Sequence, residues 1–410
     1  MKQITELLQE RKERDSEIAK TEKIVNKDGL WLVPNASNPH KVYEVVLTMN
    51  GGKCNCEDFK ERGLKCRHQF AVWISLTKTT KRSRDGTITE TTTKKVVYSQ
   101  NWKAYTQATT QQKELMQKLL NDLCNTIEEK PYTFGRPQLP MRDVVFSSAL
   151  KVFTTFSLRR FGTDSKEAQC KGYIEKPPNY STVAYYMRDK EMTPILKEIL
   201  QISALPLRSV ESNSFSIDSS GFSPHKFSRW YDYKWGKTRD RKLFYKAHIL
   251  IGNNTHIVCG AEITTQYVAD LVMLPQLVQE VNRNFNIPEL DADKAYSSRD
   301  NLALLDKLGI VPMIPFKSNS VKKPKGSRIW RDMYNYFTYN REAFLMRYHQ
   351  RSNVESAFFM VKSKFSDYVR SKTDTACINE ILLKLICHNI CVLIQETFEL
   401  GIQANFDMPN

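Results

Sequence analysis

Three features of this 410-residue chain predict an α/β protein in which a mixed five-stranded sheet with helices follows a helical region and a small ββα module. After residue 210 the pattern reads strand, strand, strand, helix, strand, helix, strand, helix. Between Trp102 and about Leu205, apolar residues recur at helical spacing. Near the N-terminus, two β-rich runs close on Cys54-Asn-Cys56, and after nine residues comes Cys66-Arg-His68.

Composition sets the outer bounds. Lys plus Arg number 61 against 45 Asp plus Glu, a net charge of +16, so a polyanionic partner is expected. Ribosomal, membrane-surface and nuclease proteins share that balance, so charge alone does not choose among them. No apolar run reaches the roughly 18 residues that span a bilayer, and the opening Met-Lys-Gln-Ile-Thr-Glu lacks an apolar signal segment. The expectation is a soluble, cytoplasmic protein whose nine cysteines are free thiols or metal ligands and not disulfides.

Residues 1–27 are highly charged, with Ile4, Leu7, Leu8 and Ile18 as sparse apolar positions, and read as a solvated tail. In residues 28–76, the runs Leu30–Val33 and Val42–Leu47 flank a Pro- and Asn-rich turn and end at Asn50-Gly-Gly52. Cys54, Cys56, Cys66 and His68 then supply three thiolates and an imidazole, the ligand set of a closed tetrahedral structural Zn2+ site. Four protein ligands leave no open position for catalysis. So small a module could hardly build a core without the ion. The competing reading is a cluster of reduced surface cysteines. The pattern C-x-C-xn-C-x-H after a hairpin resembles the SWIM zinc finger. Residues 77–98, rich in Thr, Lys and Arg, read as a linker or as an exposed hairpin turning at Asp85-Gly86.

From 99 to 205 the chain reads as a helical DNA-binding domain, with runs over Lys113–Ile127 and Met141–Phe161. A short helix entered at Asn179 or Ser181 reads either as a DNA-recognition helix or as part of a bundle packed on the next domain, the latter preferred. Residues 206–400 form the α/β domain. Strands are expected at Ser214–Phe222, Lys242–Ile251, His256–Thr264, Ile287–Ala292 and Ile310–Ile314, with helices at Val268–Phe285 and Arg299–Leu308. Interleaved cations and rings from His225 to Arg241, including Arg229, Trp230, Lys234, Arg239 and Arg241, suit DNA, since cations meet phosphates and rings stack on bases. The loop 317–331, with Lys322, Lys323, Lys325 and Arg328, is too basic to lie anywhere but on the surface, beside DNA. A long apolar-periodic helix over Ile378–Leu400 precedes the tail 401–410. Its Cys387, His388 and Cys391 have ligand spacing but are read as core.

The stretch Tyr348–Lys362 organises the rest. As one α-helix it puts Tyr348, Arg351, Glu355 and Lys362 on a single stripe, drifting only about 20° per seven residues. One acid flanked by two cations and a phenol suits a metal ion bound to phosphate, where an ordinary exposed Arg–Glu pair is the bland alternative. These four residues match the Y-x2-R-x3-E-x6-K signature of insertion-sequence transposases with a DDE active site. Ser214-Phe-Ser-Ile-Asp218 resembles that family's first catalytic strand. Leu290-Asp-Ala-Asp293-Lys-Ala-Tyr296 resembles its second, with Ala295 where the family usually has Gly. Asp291, on the same strand face, is the residue most easily confused with Asp293.

The resemblance implies a ribonuclease-H-like catalytic domain, with Asp218 as the bridging ligand and Asp293 and Glu355 as the outer ligands of two Mg2+ (or Mn2+) ions. Tyr348, Arg351 and Lys362 would support phosphate binding. It further implies double-stranded DNA, both transposon ends and target, as substrate, strand cleavage followed by strand transfer, and a homodimer on DNA. A domesticated, inactive relative that acts as a zinc-containing DNA-binding protein is the alternative. A structure-specific nuclease of the same fold is a third.

Overall fold

The computed structural model describes residues 101–406 apart from 130, 132–133, 135–137, 225–243 and 324, and, among the first hundred, 25–27, 30–35, 38–46, 53–62, 66, 68–69, 72, 77–82 and 88–93. Arg229, Trp230, Lys234, Arg239 and Arg241 therefore lie outside the described residues. The chain divides into two compact units, Met1–Trp102 and Lys103–Asn410.

In the first unit, β1 (Val25–Lys27), β2 (Leu30–Asn35), β3 (Asn38–Val46) and β4 (Lys53–Cys54) form a four-stranded antiparallel sheet in sequence order. The sheet is larger than the hairpin expected from sequence. A short helix, α1 (Glu57–Arg62), follows between the two ligand pairs. Val33, Val45, Cys54, Cys56, Cys66 and Val72 make a small buried cluster, with Trp31, Tyr43 and Phe59 packed against it. Farther on, β5 (Thr77–Arg82) pairs antiparallel with β6 (Ile88–Thr93), which gives the stretch read as linker or hairpin a two-stranded sheet.

The second unit opens with helices α2 (Trp102–Thr110), α3 (Gln112–Cys124), α4 (Met141–Phe153), α5 (Gly162–Cys170), α6 (Tyr180–Tyr186) and α7 (Met192–Ala204). The apolar run read as continuous over Met141–Phe161 stops at Phe153, where Thr155 takes a positive φ of 55°. Asn179 caps α6 by accepting a bond from Ser181 N at 3.0 Å.

The sheet comprises β7 (Phe215–Phe222), β8 (Tyr245–Gly252), β9 (Val258–Thr265), β10 (Glu289–Ala292) and β11 (Val311–Met313) in the order β11-β10-β7-β8-β9. Between and after these strands run α8 (Asp270–Val281), α9 (Arg299–Lys307), α10 (Arg328–Tyr339), α11 (Arg341–Tyr348), α12 (Ser352–Phe365) and α13 (Asp374–Glu399). The strands β7, β8 and β9 form an antiparallel meander, whereas β10 runs parallel to both β7 and β11.

Helices cover both faces. A Cβ on Gly260 would meet Val281 of α8 at 2.7 Å, so Gly260 is the residue that lets α8 pack closely against β9. Asp218 is level with Ile249 and Ala261, whose side chains take the face opposite to Gly260. On that second face lie α12 and α13, whose Lys362 and Lys384 both approach the Phe222 ring.

The helices α3 to α7 share one continuous buried core with the sheet, within a single compact unit. At its centre is α13, whose most apolar stretch is long and greasy enough to cross a membrane but 89% buried inside the protein. Its polar residues are consumed internally. Asn389 accepts from Val258 N (2.9 Å) and donates to Val258 O and Ser203 Oγ (both 2.8 Å), clipping the edge strand β9 to the helices. Cys387 is buried, and His388 Nε2 meets His256 O at 3.0 Å, so this trio is core and not a ligand set.

Asn389→Leu leaves both Val258 backbone groups unpaired in an apolar setting. The expected cost is about 2 kcal/mol of unfolding free energy with an unchanged denaturant slope, measured by urea unfolding of the full chain.

Candidate functional site

The parallel pairing of β10 with β7 matches Leu290 to Phe215, Asp291 to Ser216 and Ala292 to Ile217. One step further along both strands, Asp293 comes level with Asp218, and alternation puts their side chains on the face shared by Ser216 and Asp291. Both are half-buried. Burial, outweighing the bond from Ser219 N and the nearby Arg351, holds the Asp218 carboxyl above its usual range, and the charge of Asp293 pushes the same way. Asp293 caps the 3-10 turn Lys294–Tyr296 by accepting Lys294 N at 2.7 Å, which fixes its carboxylate at the strand's end.

Tyr348–Lys362 is not one α-helix. The chain tightens into a 3-10 turn over His349–Arg351 between α11, which Tyr348 ends, and α12, which carries Glu355 and Lys362. The four residues still act on one place. Arg351 Nη1 donates to Asp218 Oδ2 at 2.6 Å while Nη2 donates to Glu355 Oε1, so a single guanidinium joins the first acid to the third. Glu355 is exposed, with 59% of its side chain accessible, whereas Arg351 and Asp218 are near 20%. Burial raises the Tyr348 phenol, as do the charges of Asp293 and Asp218, while Arg351 works the other way. Lys362 Nζ donates to Ser220 Oγ at 2.6 Å, two residues along the strand from Asp218 on the same face.

Two participants were not assigned from sequence. Ser220, which anchors Lys362, had no signal beyond its place two residues after Asp218. The Tyr296 ring is fully buried, with its hydroxyl near the Ser219 side chain. Burial and the charges of Asp270, Asp218 and Asp293 hold that hydroxyl protonated. Asp291, by contrast, lies wholly inside the sheet. It accepts Asn253 Nδ2 at 3.1 Å, and burial pushes its carboxyl up to about 8, so its place is structural and its sequence neighbour Asp293 has the open position.

Lys322, Lys323, Lys325 and Arg328 are exposed, as expected. Arg328 differs from the sequence reading in opening α10, which Ser327 caps. The rest of the loop is pinned by Trp330 Nε1 on Val321 O (2.9 Å) and Arg299 on Lys323 O (3.0 Å).

Residues 211–390 match the family model described as Transposase DDE domain. The match runs from just before β7 into α13 and includes all three acids. It supports a transposase function, and no solved structure matches the chain.

In the first unit, the ligand atoms of Cys54, Cys56, Cys66 and His68 lie within 4.8 Å of one another, and all four residues are buried. His68 Nδ1 is 3.8 Å from Cys54 Sγ and 3.9 Å from Cys66 Sγ. A tetrahedral Zn2+ with its usual bond lengths needs S···N separations of about 3.6 Å, so the set fits that ion. Asn55, between the first two cysteines, bonds back to Glu44 in both directions, and Gln69 Oε1 accepts Cys66 N at 2.9 Å. Hydrogen bonds from Cys54 and then His68 press the Cys66 thiol down, while the same contact and burial push Cys54 up.

Arg351→Gln strands the Asp218 charge beside Asp293. A loss of about 1–3 kcal/mol is expected, mostly recovered in Arg351→Gln/Asp218→Asn, with Glu355 adding little because it is exposed. Urea unfolding of the four-member cycle measures it, and additive losses would show that the pair is not coupled.

Proposed function

We propose that the chain is an insertion-sequence transposase that binds the ends of a mobile DNA element and performs strand cleavage and strand transfer with Asp218, Asp293 and Glu355. The observation that carries this reading is the in-register neighbouring of Asp218 and Asp293 on parallel strands, with Arg351 tying Asp218 to Glu355. The family match over residues 211–390 supports it independently.

Three carboxylates make a donor set that suits Mg2+ or Mn2+, and Asp218, Asp293 and Glu355 would hold the ions between them. When bound, two such ions supply activation of the attacking oxygen and neutralisation of charge on the phosphate and the leaving 3′ oxygen. The chain's own cations serve the same end. Arg351 offers a planar fork to phosphate oxygens, Lys362 is oriented by Ser220, and the Tyr348 phenol stays a hydrogen-bond donor. Water is the nucleophile for cleavage, breaking the P–O3′ bond and releasing a 3′-hydroxyl, and that hydroxyl then attacks a target-strand phosphate, displacing the target's own 3′ oxygen, which leaves as a hydroxyl. Exposed Lys322, Lys323, Lys325 and Arg328 would hold DNA backbone. Bringing two ends together calls for a homodimer on DNA.

The N-terminal unit is proposed to be a SWIM-type zinc finger holding one structural Zn2+ through Cys54, Cys56, Cys66 and His68. Its core is otherwise a few side chains.

Asp218→Asn, Asp293→Asn and Glu355→Gln are each expected to lower Mg2+-dependent cleavage of duplex carrying the element's end about a thousandfold, since several kcal/mol of charge stabilisation go with the ligand. Metal-free binding of the same duplex should change little. A variant that still cuts at near wild-type rate excludes its residue from the site. For the zinc unit, elemental analysis should find one Zn2+ per chain, absent in Cys66→Ser, together with faster proteolysis within residues 25–93. A zinc-free chain that resists protease as well as the loaded one would remove the structural role.

A further inference from the structure

A cavity of about 230 Å³ opens in the second unit between α4, α6 and the segment that leads into α13. Lys151, Arg188, Arg370 and Lys372 line it, and no carboxylate does. At its floor are two buried polar side chains. Ser148 is 1% exposed, its Oγ without a hydrogen-bond partner among the described residues, and Lys151 is 8% exposed. A buried, unpaired hydroxyl beside a largely buried lysine costs free energy unless something that accepts hydrogen bonds fills the space. Arg188, Arg370 and Lys372 are exposed at the mouth.

The nearest acid does not fill that role. Glu380 attracts Lys151 electrostatically, but its oxygens take Arg370 N, Ser371 N and Ser371 Oγ at 2.7–3.1 Å. Those bonds instead hold the Arg370–Lys372 wall in place before any ligand arrives. Cations converge from three separate elements, which suits a tetrahedral anion better than a planar carboxylate gripped by one Arg fork. Val183, Met187 and Ala376 supply an apolar side to the cavity, which suits the sugar carbons of a phosphodiester better than a bare ion.

Its place relative to the acids is set by backbone. Val369 N donates to Ser223 O at 2.8 Å and Tyr368 bridges Ser223, so the Arg370 wall starts where β7 ends. Ser223 is five residues beyond Asp218, or about 17 Å along an extended strand. That length is roughly five steps of duplex DNA.

The geometry points to this cavity as a phosphate-binding site that holds one DNA backbone phosphate several nucleotides from the bond cut at Asp218, with Ser148 and Lys151 beneath it and Arg188, Arg370 and Lys372 around it. The source of the phosphate rests on the transposase reading; the phosphate chemistry does not.

The test uses the full chain, the double variant Arg188→Gln/Arg370→Gln, both exposed positions, and Lys151→Met, which keeps the buried stem. Binding of a duplex carrying the element's end is measured against salt, with single methylphosphonates scanned along each strand. In both variants the salt dependence is expected to be shallower by about one phosphate contact. One neutralised position should weaken the wild type severalfold and leave the variants unaffected. In a parallel arm, inorganic phosphate is titrated while the melting temperature is followed. Stabilisation of the wild type alone, with equal DNA salt slopes, would show a free-anion site and overturn the DNA assignment. Equal slopes, no position-specific difference and no phosphate effect would overturn the site altogether. If the wild type neither binds nor cuts DNA, the transposase reading fails, and the phosphate arm still decides whether the cavity takes an anion.

Discussion

The parallel register between β7 and β10 is the constraint on which the rest depends. It sets Asp218, midway along β7, beside Asp293 at the end of β10, where burial holds the Asp218 carboxyl above its usual range and the charge of Asp293 adds to that. Such an arrangement persists only if cationic charge stands close by. Arg351 provides it, and the 3-10 turn that carries this residue is what lets one guanidinium reach the strand and Glu355 together. A one-residue slip of β10 would send Asp293 to the opposite face and bring Ala292 to its place. Asp291, two residues earlier on the same face, illustrates how position decides chemistry. Inside the sheet the same side chain is wholly buried and is held by Asn253.

Rigidity around the site comes from α13. This helix buries Asn379, Glu380, Lys384, His388 and Asn389, and each side chain is used to hold a different neighbour. Asn389 fastens the edge strand and Ser203. Lys384 donates to Ser366 O and Tyr368 O behind α12, and Glu380 fixes the segment after Val369. Because the preceding helices share this core, the cationic cavity and the acids belong to one packed body, and the distance between them is fixed by that packing.

The first unit solves a different problem. Its apolar cluster is a handful of residues, and three of them are cysteines. Buried thiols crowded round an imidazole at these distances make a poor core but a good set of ligands. The sheet hydrogen bonds of Asn55 and the Gln69 contact with Cys66 hold both ligand pairs facing inward.

Much of this was legible without coordinates, and the reason is periodicity. The order of strands and helices after residue 210 follows from alternation and 3.6-residue spacing, and the clustering of Cys54, Cys56, Cys66 and His68 follows from residue type at fixed intervals. What needed the fold was anything set by contact between distant segments. The change from α-helix to 3-10 turn at His349–Arg351 leaves no mark in the spacing, since 3.6 and 3.0 residues per turn differ little over three residues. Nor could local sequence separate the burial of Asp291 from the opening at Asp293, bring Ser220 under Lys362, or gather Lys151, Arg188 and Arg370 around one cavity. Residue type and spacing are written along the chain; depth, solvent access and the company a charge keeps are decided only when strands pair and helices close over them.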